Sequence, residues 1–453
     1  MMTLSEAAKA AGGRTSGNGT RFSGVSTDSR AIQAGELFVA LRGERFDGHD
    51  FLTAVHSRGA AGAIVDRRYQ GQYPLPVIIV EDTKLALGDL ARGWRARFSP
   101  ALVAVTGSNG KTTVKEMLAA ILRTHAGEAA TLATTGNLNN DIGVPLTLLR
   151  MRAQHRCCAI ELGMNHRGEI AYLARIAAPT VALVNNAQRE HLEFMNSVDE
   201  VAAENASVYD ALPANGIAVV NADDDHAAYF RSRAGKRRIV DFGLGAAAVT
   251  ARYTAKPLSS ELKLRTPGGE TDAVLAIPGL HNVRNALAAA ACAHAAGVPA
   301  AAIGAGLSAF RPYTGRLQVK QAKSGATVID DTYNANPDSV RAAIDVLATC
   351  ATPTVLVLGD MGEVGPQGPA FHREIGAYAR EKGLSRLLAI GESSVHAVEG
   401  FGKGGEHFAD VEALVRALMS SSGGRTVLVK GSRFMRMERV VAALTGARTE
   451  GAH

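Results

Sequence analysis

Residues 103–116 read VAVTGSNGKTTVKE, and this stretch restricts the local fold more than any other part of the chain. A β-branched apolar run leads into small and polar residues, and then into VKEMLAAIL, whose apolar positions have helical spacing. The predicted order is therefore strand, glycine loop and helix. Gly107 and Gly110 let backbone N–H groups approach anionic oxygens, and the start of the helix adds a positive dipole end. The pattern predicts a nucleoside triphosphate site, in which Lys111 neutralises the β- and γ-phosphates and the Thr112 hydroxyl binds Mg²⁺.

One position departs from the strict phosphate-loop pattern. A glycine is expected five residues before Gly110, and this chain has Val105 there. The alternative interpretation is a chance Gly-Lys-Thr in a surface loop. The flanking strand and helix patterns favour the nucleotide site.

The composition is that of an ordinary globular enzyme. A chain of 453 residues fits two or three domains, each large enough for its own core. Hydrophobic residues make up 46% and charged residues 20%, and the formal net charge is +6. The lysines and arginines are scattered and form no basic stripe with interleaved aromatics, so nucleic acid is not expected as a partner. A polyanionic small substrate suits the mild positive excess.

The cysteines and the apolar segments indicate the cellular compartment in which the protein is expected. Adjacent Cys157 and Cys158 lie on a predicted strand and would point to opposite faces, and the four cysteines form no metal-ligand spacing. We interpret them as reduced core residues of a cytoplasmic protein. The N-terminal MMTLSEAAKAAGG lacks the apolar region of a signal peptide, and the longest apolar run, ALAAAACAHAAG, is too short to span a bilayer. Membrane insertion is therefore not expected.

Three units follow one another along the chain. The first contains the strand candidates GELFVAL, AGAIVD and PVIIVED. The second begins at the phosphate-loop strand, continues through CCAIELG, TVALVNN, GIAVVNADDD and RIVDFG, and closes with the Ala-rich helix after GLHNVRN. FRPYTGR at 310–316 is predicted to be a linker, after which ATVIDDTYNANP, TVLVLGD, LLAIGES and RTVLVKG alternate with helices. This alternation predicts an α/β fold with right-handed βαβ units on mainly parallel sheets, in domains 1–98, 99–312 and 313–453.

Polar residues at the ends of these strands are the candidate site residues, because ligands bind there in such folds. Glu161 ends CCAIE and could be an acidic partner for Mg²⁺, or could cap the next loop. His191 follows TVALVNN and could bind a metal, or could be a surface residue. Arg316 follows the linker and could stabilise phosphoryl charge, or could form a rim salt bridge.

The third unit offers a further set of such residues. Its first strand ends in IDDTYNANP, which contributes Asp331, Asn334 and Asn336. The alternative is an Asx-rich turn leading into the helix that Pro337 begins. LGDMGE places Glu363 after another strand, where a solvated loop is the alternative. Each of these signals is weak when taken singly.

Taken together, the motifs resemble a family. VTGSNGKTT, TTGNLNNDIGVPLTLL, AIELGMNHRGEI, GLHNVRNALAAAA, GRLQ, IDDTYNANPDSV, LGDMGEVG and VKGSRFMRME occur in that order. They resemble the Mur ligases, the ATP-dependent amino-acid and peptide ligases of peptidoglycan synthesis. The resemblance covers the whole chain, including GVSTDSRAIQAGELFVALRGERFDGHDF, which is similar to the family's uridine nucleotide-binding domain. It implies three domains: a small α/β uridine nucleotide-binding domain, a central P-loop parallel-sheet domain and a C-terminal Rossmann-like domain.

The resemblance also implies a reaction. NLNNDIGVPLTLL and DDTYNANPDS are most similar to the branch that adds D-alanyl-D-alanine to UDP-N-acetylmuramoyl-tripeptide. In this family ATP converts the free carboxylate into an acyl phosphate, which the amine then attacks. ATP and Mg²⁺ are the expected cofactors, the two peptide substrates are the expected partners, and the protein is expected to be a monomer. Whether the tripeptide ends in diaminopimelate or lysine stays open.

The family's functional residues map onto positions of this chain. The implied catalytic residues are Lys111, Glu161, His191 and Arg316, and the implied metal ligands are Thr112, Glu161 and His191. ATP would be bound by Gly107, Ser108, Asn109, Gly110, Lys111, Thr112, Thr113, Asn282, Asn285, Arg316 and Asp331. The peptide and uridine substrates would be bound by Ser26, Asp28, Ser29, Arg30, Asn137, Asn140, Asn334 and Asn336.

One position departs from the family pattern. Many members carry a lysine fourteen residues after the histidine, and its carbamylated form helps to bind the second metal. Counting from His191 places Asn205 there. The carbamate ligand is therefore absent. An asparagine amide cannot be carbamylated, but its carbonyl oxygen could contact Mg²⁺ directly or through water, so the way in which a second Mg²⁺ would be held stays open.

Two other functions are consistent with parts of the pattern. A ligase on the same scaffold could add diaminopimelate or lysine to the dipeptide precursor, or glutamate to folate. Such relatives are not expected to carry NLNND and TYNANP together. A nucleotide-sensing switch protein would bind ATP without chemistry, but it would not need Glu161, Asp331 and Arg316 at the ends of separate strands.

Overall fold

The computed structural model describes residues 1–15, 17, 19–44, 46–420 and 425–447. Within these residues the strands form four sheets, and the three largest are mainly parallel with helices packed on them. The predicted α/β fold is confirmed. No helix in the described ranges has the length and apolar character needed to cross a membrane.

The first sheet belongs to the N-terminal part of the chain. Its strands are β1 (Arg14–Thr15), β2 (Val25–Ser26), β3 (Leu37–Val39), β4 (Gly62–Asp66) and β5 (Val77–Val80), and its helices are α1 (Leu4–Ala10), α2 (Leu52–Ser57) and α3 (Thr83–Arg95). The order is β1-β5-β4-β3-β2, with only β1 antiparallel among these strands. Helix α3 starts at the Asp82 side chain, which accepts two backbone N–H bonds. Its Trp94 indole donates to the Met151 carbonyl, so α3 attaches this part to the next.

The second sheet carries the phosphate loop. Its elements are β6 (Ala101–Thr106), α4 (Lys111–Ala126), β7 (Thr131–Ala133), α5 (Gly143–Leu149), β8 (Cys157–Glu161), α6 (Glu169–Ala177), β9 (Val181–Val184), α7 (Val198–Ala206), β10 (Ile217–Asn221), α8 (Ala227–Ala234) and β11 (Arg238–Phe242). All of the pairings are parallel, in the order β11-β10-β9-β6-β8-β7. The chain leaves β6 toward β7 and β8 and later returns to its other side as β9. The loop after β6 therefore lies at a topological switch point, where ligands bind in such sheets.

Helices cover both faces of this sheet. Cys157 belongs to one buried apolar cluster and Cys158 to the cluster on the other face, as the sequence predicts. All four cysteines are free and buried.

A small antiparallel sheet follows, which the sequence analysis did not predict. It consists of β12 (Thr250–Lys256), β13 (Ser259–Thr266) and β14 (Gly269–Leu275). Buried and exposed residues alternate along β13, so charged residues interrupt the apolar signal at every second position. Helices α9 (Leu280–Ala295) and α10 (Ala300–Ala309) then pack against α4.

The third of the three large sheets, called the third sheet below, lies beyond residues 310–317, which contain no helix or strand. Its elements are β15 (Gln318–Gln321), β16 (Thr327–Asp331), α11 (Pro337–Ala348), β17 (Thr354–Gly359), α12 (Gly368–Glu381), β18 (Arg386–Ile390), α13 (Val395–Phe401), β19 (Gly405–Phe408), α14 (Val411–Met419), β20 (Thr426–Lys430) and α15 (Glu438–Thr445). The order is β15-β16-β20-β17-β18-β19, with β15 antiparallel. Strands β16 and β20 are neighbours, and their register places Asp331 opposite Lys430.

Candidate active site

The loop between β6 and α4 has a backbone that only glycine adopts easily. Gly107 has φ 128° and Gly110 has φ 82°. A Cβ atom at Gly107 would lie 2.9 Å from the backbone nitrogen of Asn185, and one at Gly110 would lie 2.3 Å from Oδ1 of Asn285. Both glycines are therefore required by close packing as well as by backbone conformation.

Asparagine side chains fix this loop from the neighbouring strand end. The Asn109 backbone N–H donates to Oδ1 of Asn186 at 2.8 Å, and its carbonyl accepts from Nδ2 of Asn185 at 2.7 Å. The Asn185 amide also donates to Oδ1 of Asn285 on α9. The sequence analysis named Asn285 but missed Asn185 and Asn186, whose signal was the VNN that ends β9.

Lys111 extends along the inner side of the loop. Its ammonium donates to the carbonyls of Gly107 at 2.6 Å and Ser108 at 2.9 Å, and to Glu190 at 3.1 Å. Glu190 was not a predicted site residue. Its side chain is only 10% exposed, so this carboxylate sets the electrostatics around Lys111.

Glu161 at the end of β8 faces the start of α4. Its Oε1 accepts from the Thr112 hydroxyl at 3.1 Å and from Nδ2 of Asn139 at 2.8 Å. Its Oε2 is buried and has no hydrogen-bond partner within the described part of the chain. The sequence analysis named Asn137 and Asn140 as site residues but missed Asn139, which lies between them. An unpartnered buried carboxylate oxygen beside a hydroxyl is a donor set that suits a divalent cation.

Arg316 reaches the same point from the linker. Its Nη2 lies 3.4 Å from the Thr112 hydroxyl oxygen, and its guanidinium stacks over the Tyr333 ring at 4.0 Å. Its Nε is buried and unpartnered among the described residues. The structure therefore brings Lys111, Thr112, Glu161 and Arg316 together.

These groups line a cavity of about 910 Å³ between the three sheets. Most of the predicted residues on the second and third sheets border it, namely Ser108, Asn109, Gly110, Lys111, Thr112, Asn140, Glu161, His191, Arg316, Asn334 and Asn336. Lys84 from α3 also borders it, and its ammonium lies 2.8 Å from a carboxylate oxygen of Asp141.

A second cavity, of about 210 Å³, lies on the other side of the loop. It is bordered by the predicted nucleotide residues Asn109, Gly110, Thr113, Asn282, Asn285, Arg316 and Asp331. Lys430, which the sequence analysis missed, donates to Oδ2 of Asp331 at 2.5 Å and to the carbonyl of Asn334 at 2.9 Å. Burial lowers the pKa of Lys430, although Asp331 opposes that shift. Asp331 therefore forms a buried ion pair as well as bordering the second cavity.

Two of the asparagines predicted to bind the peptide substrates form hydrogen bonds at the start of a helix. Asn336 caps α11 through Ser339, as the alternative interpretation of an Asx-rich turn predicted, and its Nδ2 also donates to Oδ1 of Asn109 at 2.9 Å. Asn140 accepts the N–H of Gly143 at the start of α5. Asn137 is exposed and borders neither cavity.

The four predicted uridine-site residues border neither cavity: Ser26 ends β2, and Asp28, Ser29 and Arg30 follow it. Arg30 donates from its Nε and Nη2 to the Asp28 carboxylate, and this pairing lowers the pKa of Asp28 to about 2. The Arg30 side chain is 87% exposed, so the pairing leaves the arginine accessible to an anion.

Asn205 does not face the site. It is fully buried, its Oδ1 accepts from the Thr106 hydroxyl at 2.7 Å, and its Nδ2 donates to the Val201 carbonyl at 3.0 Å. The sequence analysis left its carbonyl oxygen available to Mg²⁺, and the structure corrects this because Thr106 occupies that oxygen. Neighbouring Glu204 accepts two backbone N–H bonds at the start of α6 and is likewise engaged.

The loop after β9 also joins the second sheet to the third. Arg189 donates to both oxygens of Asp338 and to Glu374, and its guanidinium lies 5.2 Å from the Phe371 ring centroid. His191 Nδ1 lies 2.6 Å from Oε2 of Glu363. Burial lowers the pKa of His191, but Glu190 and Glu363 outweigh it and raise the pKa to about 9.

The His191 pKa gives a test of this arrangement in metal-free protein. A pKa raised from 6.5 to about 9 means that the charged pair with Glu363 stabilises the fold fully below pH 6.5. That contribution is lost as the pH rises through about 9. We expect Glu363→Gln to lower the His191 pKa, measured by NMR titration of the histidine side chains with a chelator present. The matched variant Glu399→Gln, beside His396, should leave it unchanged, and an unchanged value in Glu363→Gln would contradict the pairing.

Arg189 is expected to hold the third sheet against the phosphate loop. Arg189→Ala removes hydrogen bonds to Asp338 and Glu374 and should loosen the contact between the phosphate-loop domain and the third sheet. Small-angle scattering should then show a larger radius of gyration than for the wild-type protein. Arg233→Ala is the matched control, because Arg233 pairs with exposed Asp210 within the second sheet's own domain. Identical scattering profiles for the Arg189 variant and the wild type would contradict this role.

Known proteins are similar to this chain over nearly its whole length. Three family models match: "Mur ligase family, catalytic domain" at residues 21–95, "Mur ligase middle domain" at 105–293, and "Mur ligase, glutamate ligase domain" at 315–433. The UDP-N-acetylmuramoyl-tripeptide–D-alanyl-D-alanine ligase of Escherichia coli K12 is 43% identical, over 98% of this chain and 98% of its own. The enzyme of that name from Bacillus subtilis is 32% identical, over 94% and 92%.

Solved structures agree with the sequence comparisons. A crystal structure of MurF from Acinetobacter baumannii has a TM-score of 0.92 and 37% identity, covering 98% of this chain and 99% of that one. MurF ligase from Thermotoga maritima, solved in complex with ADP, has a TM-score of 0.82 and 27% identity, covering 94% and 97%. The chain belongs to the Mur ligase family.

Proposed function

We propose that this protein uses ATP to join D-alanyl-D-alanine to UDP-N-acetylmuramoyl-tripeptide, which gives the pentapeptide precursor of peptidoglycan. The observation that carries the proposal is the 910 Å³ cavity, where the phosphate loop, the Asn139–Asp141 segment and the Asn334–Asn336 loop face one another. The names of relatives at 43% and 32% identity support this choice of substrates. A folylpolyglutamate synthase is only 17% identical and supports the fold alone.

The reaction needs two displacements at one place. A carboxylate oxygen of the tripeptide attacks the γ-phosphorus of ATP, the bond to the β-phosphate oxygen breaks, and ADP leaves. The amine of the dipeptide then attacks the acyl carbon, phosphate leaves, and the nitrogen loses a proton. Lys111 and Arg316 lie on two sides of Thr112 and would stabilise the phosphoryl charge in a partly buried site, where such stabilisation is strongest.

Mg²⁺ would be held by the Thr112 hydroxyl and by Glu161, whose unpartnered Oε2 is the supporting observation. When bound, this ion neutralises phosphate charge and acts as a Lewis acid. A second Mg²⁺ between Glu161 and His191 would require His191 to lose the proton that Glu190 and Glu363 favour. Water and substrate oxygens would complete its ligands, because Asn205 is engaged elsewhere.

The remaining partners follow from the same proposal. ATP's adenosine end would enter the 210 Å³ cavity against Asn282 and Asp331, and the uridine end would bind beside Asp28 and Arg30. Four free buried cysteines support a reducing, cytoplasmic compartment.

The test is release of ADP and phosphate from ATP with UDP-N-acetylmuramoyl-tripeptide, with and without D-alanyl-D-alanine. We expect steady turnover only when both peptide substrates are present. Lys111→Ala should lower kcat about 100-fold or more with the fold intact, because it removes phosphoryl charge stabilisation. Turnover with diaminopimelate, lysine or glutamate instead of the dipeptide would favour the other ligases, and near-normal turnover of Lys111→Ala would remove the loop from the mechanism.

Carbon dioxide should not be needed. Many family members carry a carbamylated lysine where this chain has Asn205, whose amide is buried against Thr106 and cannot form a carbamate. Activity should be the same in sealed, degassed buffer with and without added bicarbonate. Activity that collapses on degassing and returns with bicarbonate would show that another lysine has taken the role.

A further inference from the structure

A second lysine of α4 is buried beside the site and has no part in the proposed chemistry. Lys115 lies one helical turn after Lys111, and its side chain is completely inaccessible to solvent. It borders neither cavity, so it touches neither nucleotide nor peptide. A buried ammonium is costly unless it is paired, and an apolar side chain of similar length would fill the same space. Packing alone therefore does not explain the charge.

One partner of Lys115 is Thr134, which lies five residues before the Asn139–Asp141 segment that borders the larger cavity. The Lys115 ammonium donates to the carbonyl of Thr134 at 2.9 Å and pairs with the carboxylate of Glu116. It also lies 6.0 Å from the centroid of the Tyr313 ring in the linker. The Thr134 carbonyl is thus held at a fixed place relative to the phosphate-loop helix.

Thr134 connects Lys115 to Glu161 through hydrogen bonds. Its hydroxyl accepts the backbone N–H of Glu161 at 3.0 Å, and its own N–H donates to the carbonyl of Ala159 at 3.0 Å. Five residues further on, Asn139 donates to Oε1 of the Glu161 carboxylate. The segment that Lys115 anchors therefore contacts Glu161 at its backbone and again at its side chain.

We propose that Lys115 is a positioning residue that sets the place of the Glu161 carboxylate through Thr134. The assignment rests on the proposed function, in which Glu161 holds a divalent cation with Thr112. It adds to that function a residue that never contacts the metal but on which the position of a metal ligand depends. Residues that orient metal ligands typically change metal affinity about 10- to 100-fold when they are removed.

The experiment measures Mn²⁺ binding to the full chain in the presence of ADP, by electron paramagnetic resonance of free Mn²⁺. We expect Lys115→Met to raise the Mn²⁺ dissociation constant about 10-fold or more. Arg95→Met is the matched control. Arg95 is also a buried cation, and its donors go to the carbonyls of Ala177, Phe98 and Ala178, away from both cavities. The Arg95→Met variant should lose thermal stability, as Lys115→Met does, but should keep its affinity for Mn²⁺.

Thr134→Val provides an independent test, because it keeps Lys115 and removes only the hydroxyl that accepts from Glu161. It should weaken Mn²⁺ binding in the same way, and the double variant should be no weaker than the worse single variant. It also decides the question if Lys115→Met fails to fold. Lys115→Arg, which retains a donor, should recover part of the affinity.

The outcomes separate this assignment from the proposed function. Unchanged Mn²⁺ affinity in Lys115→Met or in Thr134→Val, with normal wild-type binding, overturns the positioning role alone. An equal loss in Arg95→Met also overturns it, because the effect would then be general destabilisation. If the wild-type protein with ADP binds no Mn²⁺, the proposed metal site is wrong and the role of Lys115 falls with it.

Discussion

The backbone of the phosphate loop is the constraint on which the rest of the structure depends. Bare N–H groups can face phosphate oxygens only if the chain adopts positive φ at Gly107 and Gly110. The space that Cβ atoms would fill there is taken by Asn185 and Asn285. These asparagines come from the end of β9 and from α9, so the loop is shaped by two distant parts of the chain. The parallel order of the sheet is what brings the ends of β6, β8 and β9 together.

Around this loop the polar groups are of two kinds. Some are fully paired, such as Lys430 with Asp331 and Asn205 with Thr106. Others, such as Oε2 of Glu161, are buried without a partner in the described ranges. Paired groups stabilise the fold, whereas an unpartnered buried oxygen is costly to the protein alone and is stabilised when a ligand binds. The unpaired Glu161 oxygen is thus kept in place by surrounding groups whose own hydrogen bonds are already formed.

One loop connects the nucleotide site to the third sheet. Between residues 185 and 191 it supports the phosphate loop through Asn185, contacts Lys111 through Glu190 and binds Asp338 and Glu374 through Arg189. His191 and its partner Glu363 both have positive φ, of 52° and 59°. Such strained residues persist where the surroundings fix them, and they concentrate at functional sites. A change in the position of the third sheet would therefore reach Lys111 through Arg189, the adjacent Glu190 and the hydrogen bond between Glu190 and Lys111.

The sequence by itself determined the strand, glycine loop and helix at residues 101–126, the alternating α/β order and the residues at the strand ends. These features are local, because hydrophobic periodicity and glycine spacing act over a few residues. It missed β12–β14, where charges interrupt the apolar pattern at alternate positions. It could not show that Lys430 pairs with Asp331, that Glu190 contacts Lys111, or that Thr106 engages Asn205. The residues of these pairs lie 99, 79 and 99 positions apart. Their meeting depends on strand order and register, and only the tertiary structure decides those.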